Sequence, residues 1–234
     1  MDEDRLDEQL AYYRARAGEY DEWFLRQGRY DRGPGWNRRW FSELVQVRTE
    51  LDQFRPTGEV LELACGTGLW TVELARHAEG ITAVDASPEV LEINRSRLKE
   101  SGLRTPVSYV LADLFGWRPD GAYDVVFFGF WLSHVPPRRF AAFWEFVRSA
   151  LRPGGRVFFV DSLATETPYE KRRLGRDPRG YTTVRQLNDG REFRIFKVFY
   201  DPEVLEARLS GMGWRFSVRR TENHLLYGFG EPRE

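Results

Sequence analysis

Gly66 and Gly68 stand close together in the stretch ELACGTGLW, residues 62–70, where a β-rich run passes into a helical one. A glycine-rich turn from a strand into a helix presents backbone N–H groups to a ligand at the carboxyl edge of a parallel sheet. A nicotinamide fingerprint would have a third glycine where Thr71 stands, and a phosphate loop would have Gly-Lys-Ser/Thr where this chain has Leu-Trp. The loop therefore predicts a ligand site, but it favours neither a dinucleotide nor a nucleoside triphosphate.

The same loop holds Cys65, the single cysteine of the chain. One cysteine excludes an internal disulfide and is typical of a protein in a reducing compartment. Cys65 could be a nucleophile, but no histidine lies near it in the sequence. We favour the interpretation that it is a small buried residue that fills a tight loop.

Polar residues follow the predicted strands further along the chain. Asp85 ends the second strand, Asp113 follows the third, His134 follows the fourth and Asp161 ends the fifth. An acidic residue at the end of the second strand can accept hydrogen bonds from ribose hydroxyls. Asp113 could bind a ligand or simply cap a turn. His134 could be a general base or a ligand contact. Asp161 could ligate a metal, although no partnering carboxylate motif accompanies it.

These side chains meet only if the strands share one sheet. Strand-like and helix-like runs alternate five times between residues 58 and 162, which predicts an α/β fold with a doubly wound, Rossmann-like, mostly parallel sheet. Apolar residues at helical spacing predict helices before this region, with breaks at Gly18 and Gly33-Pro-Gly35. A hairpin around Asn188-Asp189-Gly190, a helix and a last antiparallel pair of strands follow. The five alternating strands and this last pair make seven strands in the sheet, and the hairpin is separate from it.

The predicted organisation is one domain. It consists of a helical lid over residues 1–55, a ligand-binding core over 56–162, a hairpin cap over 163–200, and a C-terminal helix with antiparallel strands over 201–234. A basic run over residues 170–180 is predicted to be a solvated loop.

The composition and net charge limit the classes of molecule that the protein is expected to bind. Hydrophobic residues make up 41% of the 234, enough for a packed core, and the formal net charge of −1 argues against binding a polyanion through bulk charge. No apolar run approaches the ~20 residues of a membrane span, and the acidic start does not resemble a signal peptide. We expect a cytoplasmic monomer or homodimer without nucleic-acid or membrane partners.

Five segments, in this order, resemble the class I S-adenosylmethionine-dependent methyltransferases: VLELACGTG, AVDAS, LADLF, YDVVFFGFWLSHVP and LRPGGRVFFVD. The chain departs from the pattern at Ala64, where many members have glycine. The resemblance implies S-adenosylmethionine as the cofactor, S-adenosylhomocysteine as its product, and no required metal.

The resemblance also implies which residues contact the cofactor. Asp85 would bind the ribose and Asp113 the adenine amino group, Glu62 would orient the loop and the cofactor amine, and Arg16 or Tyr20, on a helix acting as a lid, would bind the methionine carboxylate. The full predicted set is Tyr13, Arg16, Tyr20, Glu62, Ala64, Gly66, Gly68, Trp70, Asp85, Ala86, Asp113, Leu114 and Phe130.

Three further segments, LAYYRARAGEYD, FFGFWLSHVPPRRFAAFWEFVRSAL and QLNDGREFRIFKVF, resemble a small bacterial subgroup of O-methyltransferases that includes the phosphonate O-methyltransferase of dehydrophos biosynthesis. The chain departs from this subgroup at LRQGRYDRGPGWNRRW, where helices should cover the acceptor. The subgroup implies a small-molecule acceptor of secondary metabolism and a hairpin that caps an anionic acceptor.

The hairpin register decides whether two cations can act together. With a three-residue loop and a left-handed Gly190, Arg185 opposes Phe193, and Lys197 falls on the same sheet face. A two-residue Asp-Gly loop would place the two cations on opposite faces. Arg185, Lys197 and His134 are the predicted catalytic residues, and the same three with Tyr30, Trp36 and Trp131 are the predicted acceptor contacts.

These residues predict methyl transfer to the anionic oxygen of a phosphonate or carboxylate, which needs cationic donors and no general base. An amine or phenol acceptor would need a base, and His134 would then be central. The alternatives are an N-methyltransferase of a small amine and a non-catalytic S-adenosylmethionine-binding module. Strand four ends in GFWLSH, unlike the Asn/Asp-Pro-Pro-Tyr loop of nucleic-acid amino-methyltransferases, so a nucleic-acid substrate is disfavoured.

Overall fold

The computed structural model describes residues 2–164 and 181–233, and the predicted basic loop over 170–180 lies outside them. The strands in this part of the chain are β1 (Glu59–Leu63), β2 (Gly80–Asp85), β3 (Val107–Leu111), β4 (Tyr123–Gly129), β5 (Leu151–Ser162), β6 (Thr182–Gln186), β7 (Glu192–Phe196), β8 (Trp214–Arg220) and β9 (Leu225–Pro232). The helices are α1 (Asp2–Ala15), α2 (Tyr20–Phe24), α3 (Pro34–Phe54), α4 (Thr71–Leu74), α5 (Pro88–Ser101), α6 (Phe140–Ala150) and α7 (Pro202–Gly211).

Seven strands form one sheet in the order β3-β2-β1-β4-β5-β9-β8. The first five of these are parallel, and β9 and β8 complete the sheet in antiparallel fashion. The predicted doubly wound, mostly parallel sheet is therefore confirmed. The strand order reverses between β1 and β4, so a crevice opens at the carboxyl ends of these two strands, where such sheets bind ligands.

Local sequence signals explain where the central helices begin and end. The Ser87 hydroxyl accepts from the backbone N–H of Val90 at the start of α5, and Gly102 ends that helix in the left-handed conformation. Helix α4 is shorter than the run LWTVELARHA predicts. Its backbone bonds change from i−4 to i−3 spacing at Arg76 and His77, so the regular helix ends after one turn.

Apolar side chains cover both faces of the sheet. Phe128 and Phe159 pack against Trp144 of α6 on one face. Phe127 and Phe158 stack on the other face, where α3 lies. This double coverage explains why β4 reads as a continuous apolar run.

The hairpin β6–β7 is separate from the main sheet. Leu187 N donates to Arg191 O, Gly190 has φ +90°, and Arg185 pairs with Phe193. Of the two registers that the sequence allows, the hairpin has the one with the three-residue loop.

The hairpin packs on α1. Arg194 N donates to Glu8 Oε1 at 2.7 Å, and Phe196 N donates to Gln9 Oε1 at 3.0 Å. The N-terminal helix and the hairpin therefore form one cover over the carboxyl edge of the sheet. No helix among the described residues is long and apolar enough to cross a membrane.

Candidate active site

A first cavity opens at the carboxyl ends of β1, β2 and β4. It contains about 890 Å³ of empty space, counted out to its open mouth. Nine of the thirteen predicted cofactor residues line it: Tyr13, Tyr20, Ala64, Gly66, Asp85, Ala86, Asp113, Leu114 and Phe130. We call it the donor cavity.

Asp85 is held in place by the glycine loop. Its Oδ2 accepts from Gly66 N and its Oδ1 from Ser87 N, both at 3.0 Å. Burial raises the pKa of this carboxyl, and the two backbone N–H groups oppose that shift. Ala64 and Gly66 are both in the left-handed conformation, with φ +52° and +51°, so the loop keeps its conformation although alanine replaces a glycine.

Gly68 is required for the packing of α5 on the loop. A Cβ at this position would lie 2.6 Å from Asn94 Oδ1, so glycine allows α5 to pack closely on the loop. Gly68 lines none of the cavities described in this section.

Glu62 is buried beneath the loop. Its Oε2 accepts from the Thr71 hydroxyl at 2.6 Å, and that hydroxyl accepts from Asn94 Nδ2 at 2.8 Å. Thr71, which occupies the place of the missing third glycine, thus anchors the carboxyl group. Burial raises the pKa of Glu62 to about 8.

Glu62, Cys65 and Trp70 line a small cavity that also includes Ala64 and Phe130 from the wall of the donor cavity. Burial raises the pKa of the Cys65 thiol well above its ordinary value, so this residue stays a neutral thiol. A neutral, enclosed thiol agrees with our interpretation of Cys65 as a residue that fills the loop.

A second cavity adjoins the donor cavity and contains about 460 Å³ of empty space out to its mouth. Its lining consists of Tyr12, Tyr13, Arg16, Tyr20, Trp23, Tyr30, Phe130, His134, Ser162, Arg185 and Lys197. It shares four of these residues with the donor cavity: Tyr13, Tyr20, Phe130 and His134. We call it the acceptor cavity and the four shared residues the partition.

Arg16 lies on the acceptor side of the partition and not in the donor cavity. Its guanidinium carbon is 5.0, 5.6 and 5.9 Å from the ring centroids of Tyr20, Tyr12 and Tyr30. Of the two residues predicted to bind the methionine carboxylate, Tyr20 lines both cavities and Arg16 lines the acceptor cavity.

The Lys197 ammonium is buried at the inner end of the acceptor cavity. It lies 2.9 Å from Ser133 Oγ and 3.5 Å from both Asp161 Oδ1 and Ser162 Oγ. Asp161 also accepts from the backbone N–H groups of Ser133 and Ser162, at 2.8 and 2.7 Å. The carboxylate that could have ligated a metal is instead the counterion of Lys197. The described residues contain no group of three potential metal ligands.

His134 is held between the hairpin and α1. Its Nδ1 lies 2.7 Å from the carbonyl oxygen of Phe196, and its Nε2 lies 2.8 Å from the Tyr13 hydroxyl. Burial and the nearby Lys197 ammonium hold the pKa of His134 well below its ordinary value. The imidazole is therefore neutral at physiological pH.

Two residues predicted as acceptor contacts lie elsewhere. Trp131 lines the donor cavity, where its indole packs 5.6 Å from the ring of Phe115. Trp36, at the start of α3, lines none of the cavities described in this section. Its ring centroid lies 4.4 Å from that of His224. Both are aromatic residues near the predicted pocket, and the sequence carries no signal for which surface each side chain covers.

Several lining residues were not predicted. In the donor cavity they include Asp7 and Gln9 of α1, and in the acceptor cavity Tyr12, Trp23 and Ser162. The sequence offered no clear signal for Gln9, because α1 has no continuous apolar face. Gln9 is buried, and its Nε2 donates to His134 O at 3.3 Å while its Oε1 accepts from Phe196 N.

Comparison with known proteins agrees with this geometry. A family model described as a methyltransferase domain matches residues 60–155. The ubiquinone biosynthesis O-methyltransferase of Xanthomonas euvesicatoria pv. vesicatoria (strain 85-10) is 32% identical over an alignment of 202 residues, and the match covers 79% of this chain and 80% of the relative. The chain belongs to the S-adenosylmethionine-dependent methyltransferases.

Solved methyltransferase structures match nearly the whole chain. The DhpI-SAM-HEP complex is 40% identical, with a TM-score of 0.77 over 97% of this chain and 98% of DhpI. The DhpI-SAH complex is also 40% identical, with a TM-score of 0.76 over 98% and 97%. The N-methyltransferase NodS from Bradyrhizobium japonicum WM9, solved with S-adenosyl-L-homocysteine, is 16% identical with a TM-score of 0.57 over 88% and 91%, and shows a shared fold.

The methyl donor of this methyltransferase is S-adenosylmethionine, and the donor cavity fits it. The carboxylates of Asp7, Asp85 and Asp113 line the cavity and complement a cationic ligand. Trp131 Nε1 is buried without a hydrogen-bond partner among the described residues, so it can donate to a ligand.

Proposed function

We propose that this methyltransferase transfers the methyl group to an anionic oxygen of a small molecule, a phosphonate or a carboxylate. The observation that carries this proposal is the charge of the acceptor cavity. Arg16, Arg185 and Lys197 line it, and no carboxylate is among the described residues of its lining. Buried guanidinium and ammonium groups attract a phosphonate or carboxylate and repel a cationic amine.

The hairpin register supports the proposal. Arg185 pairs with Phe193, and the Lys197 N–H donates to Tyr181 O, so both cations lie on one face of the hairpin. The sequence resemblance to phosphonate O-methyltransferases and the 40% identity to DhpI, solved with SAM and HEP, point to the same acceptor class.

The donor is held by residues on the other side of the partition. Asp85 accepts from the ribose hydroxyls, Asp113 from the adenine amino group, and Gly66 allows close approach of the loop backbone. Glu62 orients the loop and the cationic amine. When bound, S-adenosylmethionine supplies a methyl group that its sulfonium charge makes electrophilic.

Arg185 and Lys197 place the acceptor oxygen against this methyl group at near-attack distance. An anionic oxygen already carries the electron pair that forms the new bond, so no side chain needs to remove a proton. The cations must orient the oxygen without binding it more tightly in the ground state than in the transition state.

The neutral state of His134 leads to a first prediction. Because burial and Lys197 hold the pKa of His134 well below its ordinary value, ionisation of His134 should not shape the activity at physiological pH. We expect His134→Gln to lower kcat while the profile of log kcat between about pH 6 and 9 keeps its wild-type shape. A wild-type activity loss at acid pH that His134→Gln removes would identify a general base and favour a phenol or amine acceptor.

Glu62 leads to a second prediction. Its carboxyl is protonated below about pH 8 in the free protein, and a cationic amine binds better to the carboxylate. The affinity for S-adenosylmethionine should therefore rise with pH toward pH 8, by at most about tenfold per pH unit. Calorimetric titrations at pH 6, 7 and 8 measure this slope.

Glu62→Gln removes the titrating group, so it should flatten the slope, whereas Asp113→Asn should leave the slope unchanged because Asp113 is solvent-exposed. A wild-type affinity that is constant from pH 6 to 8 would contradict the proposed contact between Glu62 and the amine.

The experiment that tests the acceptor class is direct. The protein is incubated with labelled S-adenosylmethionine and small phosphonates, carboxylates, phenols and amines, and products are identified by the added mass of the methyl group. Methyl esters of phosphonates or carboxylates are expected. Methylated amines or phenols as the only products would contradict the proposal, and cofactor binding without any product would indicate a non-catalytic module.

A further inference from the structure

The Tyr13 hydroxyl occupies the boundary that the methyl group must cross. Tyr13 belongs to the partition, and so does its hydrogen-bond partner His134. Any methyl group that passes from a donor in one cavity to an oxygen in the other must pass beside these four side chains. The direction of the hydrogen bond between Tyr13 and His134 therefore decides what the partition presents to the reacting atoms.

The proton positions follow from the Phe196 carbonyl. A carbonyl oxygen can only accept, so His134 Nδ1, 2.7 Å away, carries the proton. Because the imidazole is neutral, Nε2 has no proton and must accept from the Tyr13 hydroxyl at 2.8 Å. Burial raises the pKa of Tyr13, so this residue remains a phenol and keeps the proton that it donates.

The Tyr13 oxygen is thus left with acceptor capacity only. No other hydrogen bond to this oxygen occurs among the described residues, so no described donor uses its lone pairs. A hydroxyl in this state cannot donate to an anionic acceptor. It can accept from electron-poor C–H groups, and the methyl group on a sulfonium is such a donor.

We propose that the Tyr13 hydroxyl oxygen, whose proton is committed to His134, accepts C–H···O contacts from the methyl group that is transferred. Tyr13 is then a catalytic residue, and His134 is a positioning residue that acts through it. The inference rests on the proposed function for the placement of donor and acceptor on the two sides of the partition.

The bond changes agree with this arrangement. The carbon–sulfur bond breaks as the carbon–oxygen bond forms, the sulfur keeps the electron pair, and no proton moves. The methyl carbon is most electron-poor while it leaves the sulfur, so the contacts with Tyr13 are retained or strengthened in the transition state, as catalysis requires. After transfer, the thioether product has lost both the methyl group and the charge.

Tyr13→Phe tests the proposal without any acceptor. Calorimetric Kd values for S-adenosylmethionine and S-adenosylhomocysteine are measured for the wild type and the variant. The ratio of the two affinities should fall by about three- to tenfold in favour of the product, because only the methylated ligand loses contacts. With ¹³C-methyl-labelled cofactor, the methyl proton resonance of the bound cofactor should move upfield in the variant.

Tyr12→Phe is the matched control. Tyr12 is the neighbouring buried tyrosine and lines the acceptor cavity but not the donor cavity, so its replacement should leave the affinity ratio and the methyl resonance unchanged. His134→Phe, which removes the acceptor that orients Tyr13, should lower the ratio as Tyr13→Phe does.

An unchanged ratio in Tyr13→Phe, or an equal loss of affinity for both ligands, overturns the inference. Neither result depends on the identity of the acceptor. A failure of the anionic acceptor, seen as amine or phenol methylation in the product assay, is therefore distinguishable from a failure of the Tyr13 contact.

Discussion

Lys197→Met should lower kcat/KM for the methyl acceptor by about 10²–10³-fold, since it removes a buried ammonium group from the lining of the acceptor cavity, where we propose that the anionic oxygen binds. Arg185→Ala should act in the same direction. Neither variant should change the Kd of S-adenosylmethionine by more than about twofold, because both cations line the acceptor cavity alone. Steady-state kinetics with the acceptor found by product analysis, together with calorimetry for the cofactor, measure both effects.

Arg194→Ala is the matched control for this prediction. Arg194 pairs with Val184 on the opposite face of the same hairpin and is exposed, so its loss should leave kcat/KM nearly unchanged. Thermal unfolding of Lys197→Met is the check on folding, since Asp161 loses its counterion in this variant but keeps its two backbone N–H donors. Normal methylation of the true acceptor by both Lys197→Met and Arg185→Ala would exclude the hairpin as an anion site.

The second large effect is expected at Asp85. Asp85→Ala should weaken S-adenosylmethionine binding by about 10²–10⁴-fold, since it removes the carboxylate that we propose accepts two charge-assisted hydrogen bonds from the ribose, each contributing roughly 1.5–3 kcal/mol. The loss should be somewhat larger than the ribose contacts alone explain, because Asp85 also accepts from Gly66 N and thereby orders the loop. Calorimetric titration of the cofactor measures it.

Asp113→Ala is the comparison for Asp85→Ala. Asp113 is exposed, and its Oδ1 accepts from Phe115 N at 3.0 Å, so it both caps a turn and faces the donor cavity. One solvent-exposed contact with the adenine amino group should cost about tenfold in cofactor affinity. If Asp85→Ala and Asp113→Ala lower the affinity equally, the ribose would not be the group that Asp85 binds.

The donor side of the site could be predicted residue by residue. Asp85 and Asp113 each follow a strand, and Gly66 lies in the turn after β1. Parallel strands bring their carboxyl ends to one edge, so residues at these positions converge whatever the rest of the chain does. This is why most of the predicted cofactor residues line one cavity.

The acceptor side depended on contacts between distant segments. The local sequence allowed either a two-residue or a three-residue loop in the hairpin. In the observed three-residue register, the apolar residues Phe193 and Ile195 pack on Tyr12 of α1. The family resemblance placed Arg16 on the lid but carried no information on which cavity its side chain would meet. Asp161 and Lys197 are paired only because the hairpin folds back onto the end of β5.

By itself, the sequence determined the alternating fold, the donor-binding edge of the sheet and the methyltransferase family. The order of strand and helix segments along the chain and the residues of each turn are local properties, so they can be recognised without knowledge of the packing. Only the tertiary structure decided the acceptor cavity: the shared face of Arg185 and Lys197, the counterion role of Asp161, and the protonation of His134. Each of these depends on a partner from a remote segment, so its charge, orientation and proton position exist only once the N-terminal helix and the hairpin have closed over the glycine loop.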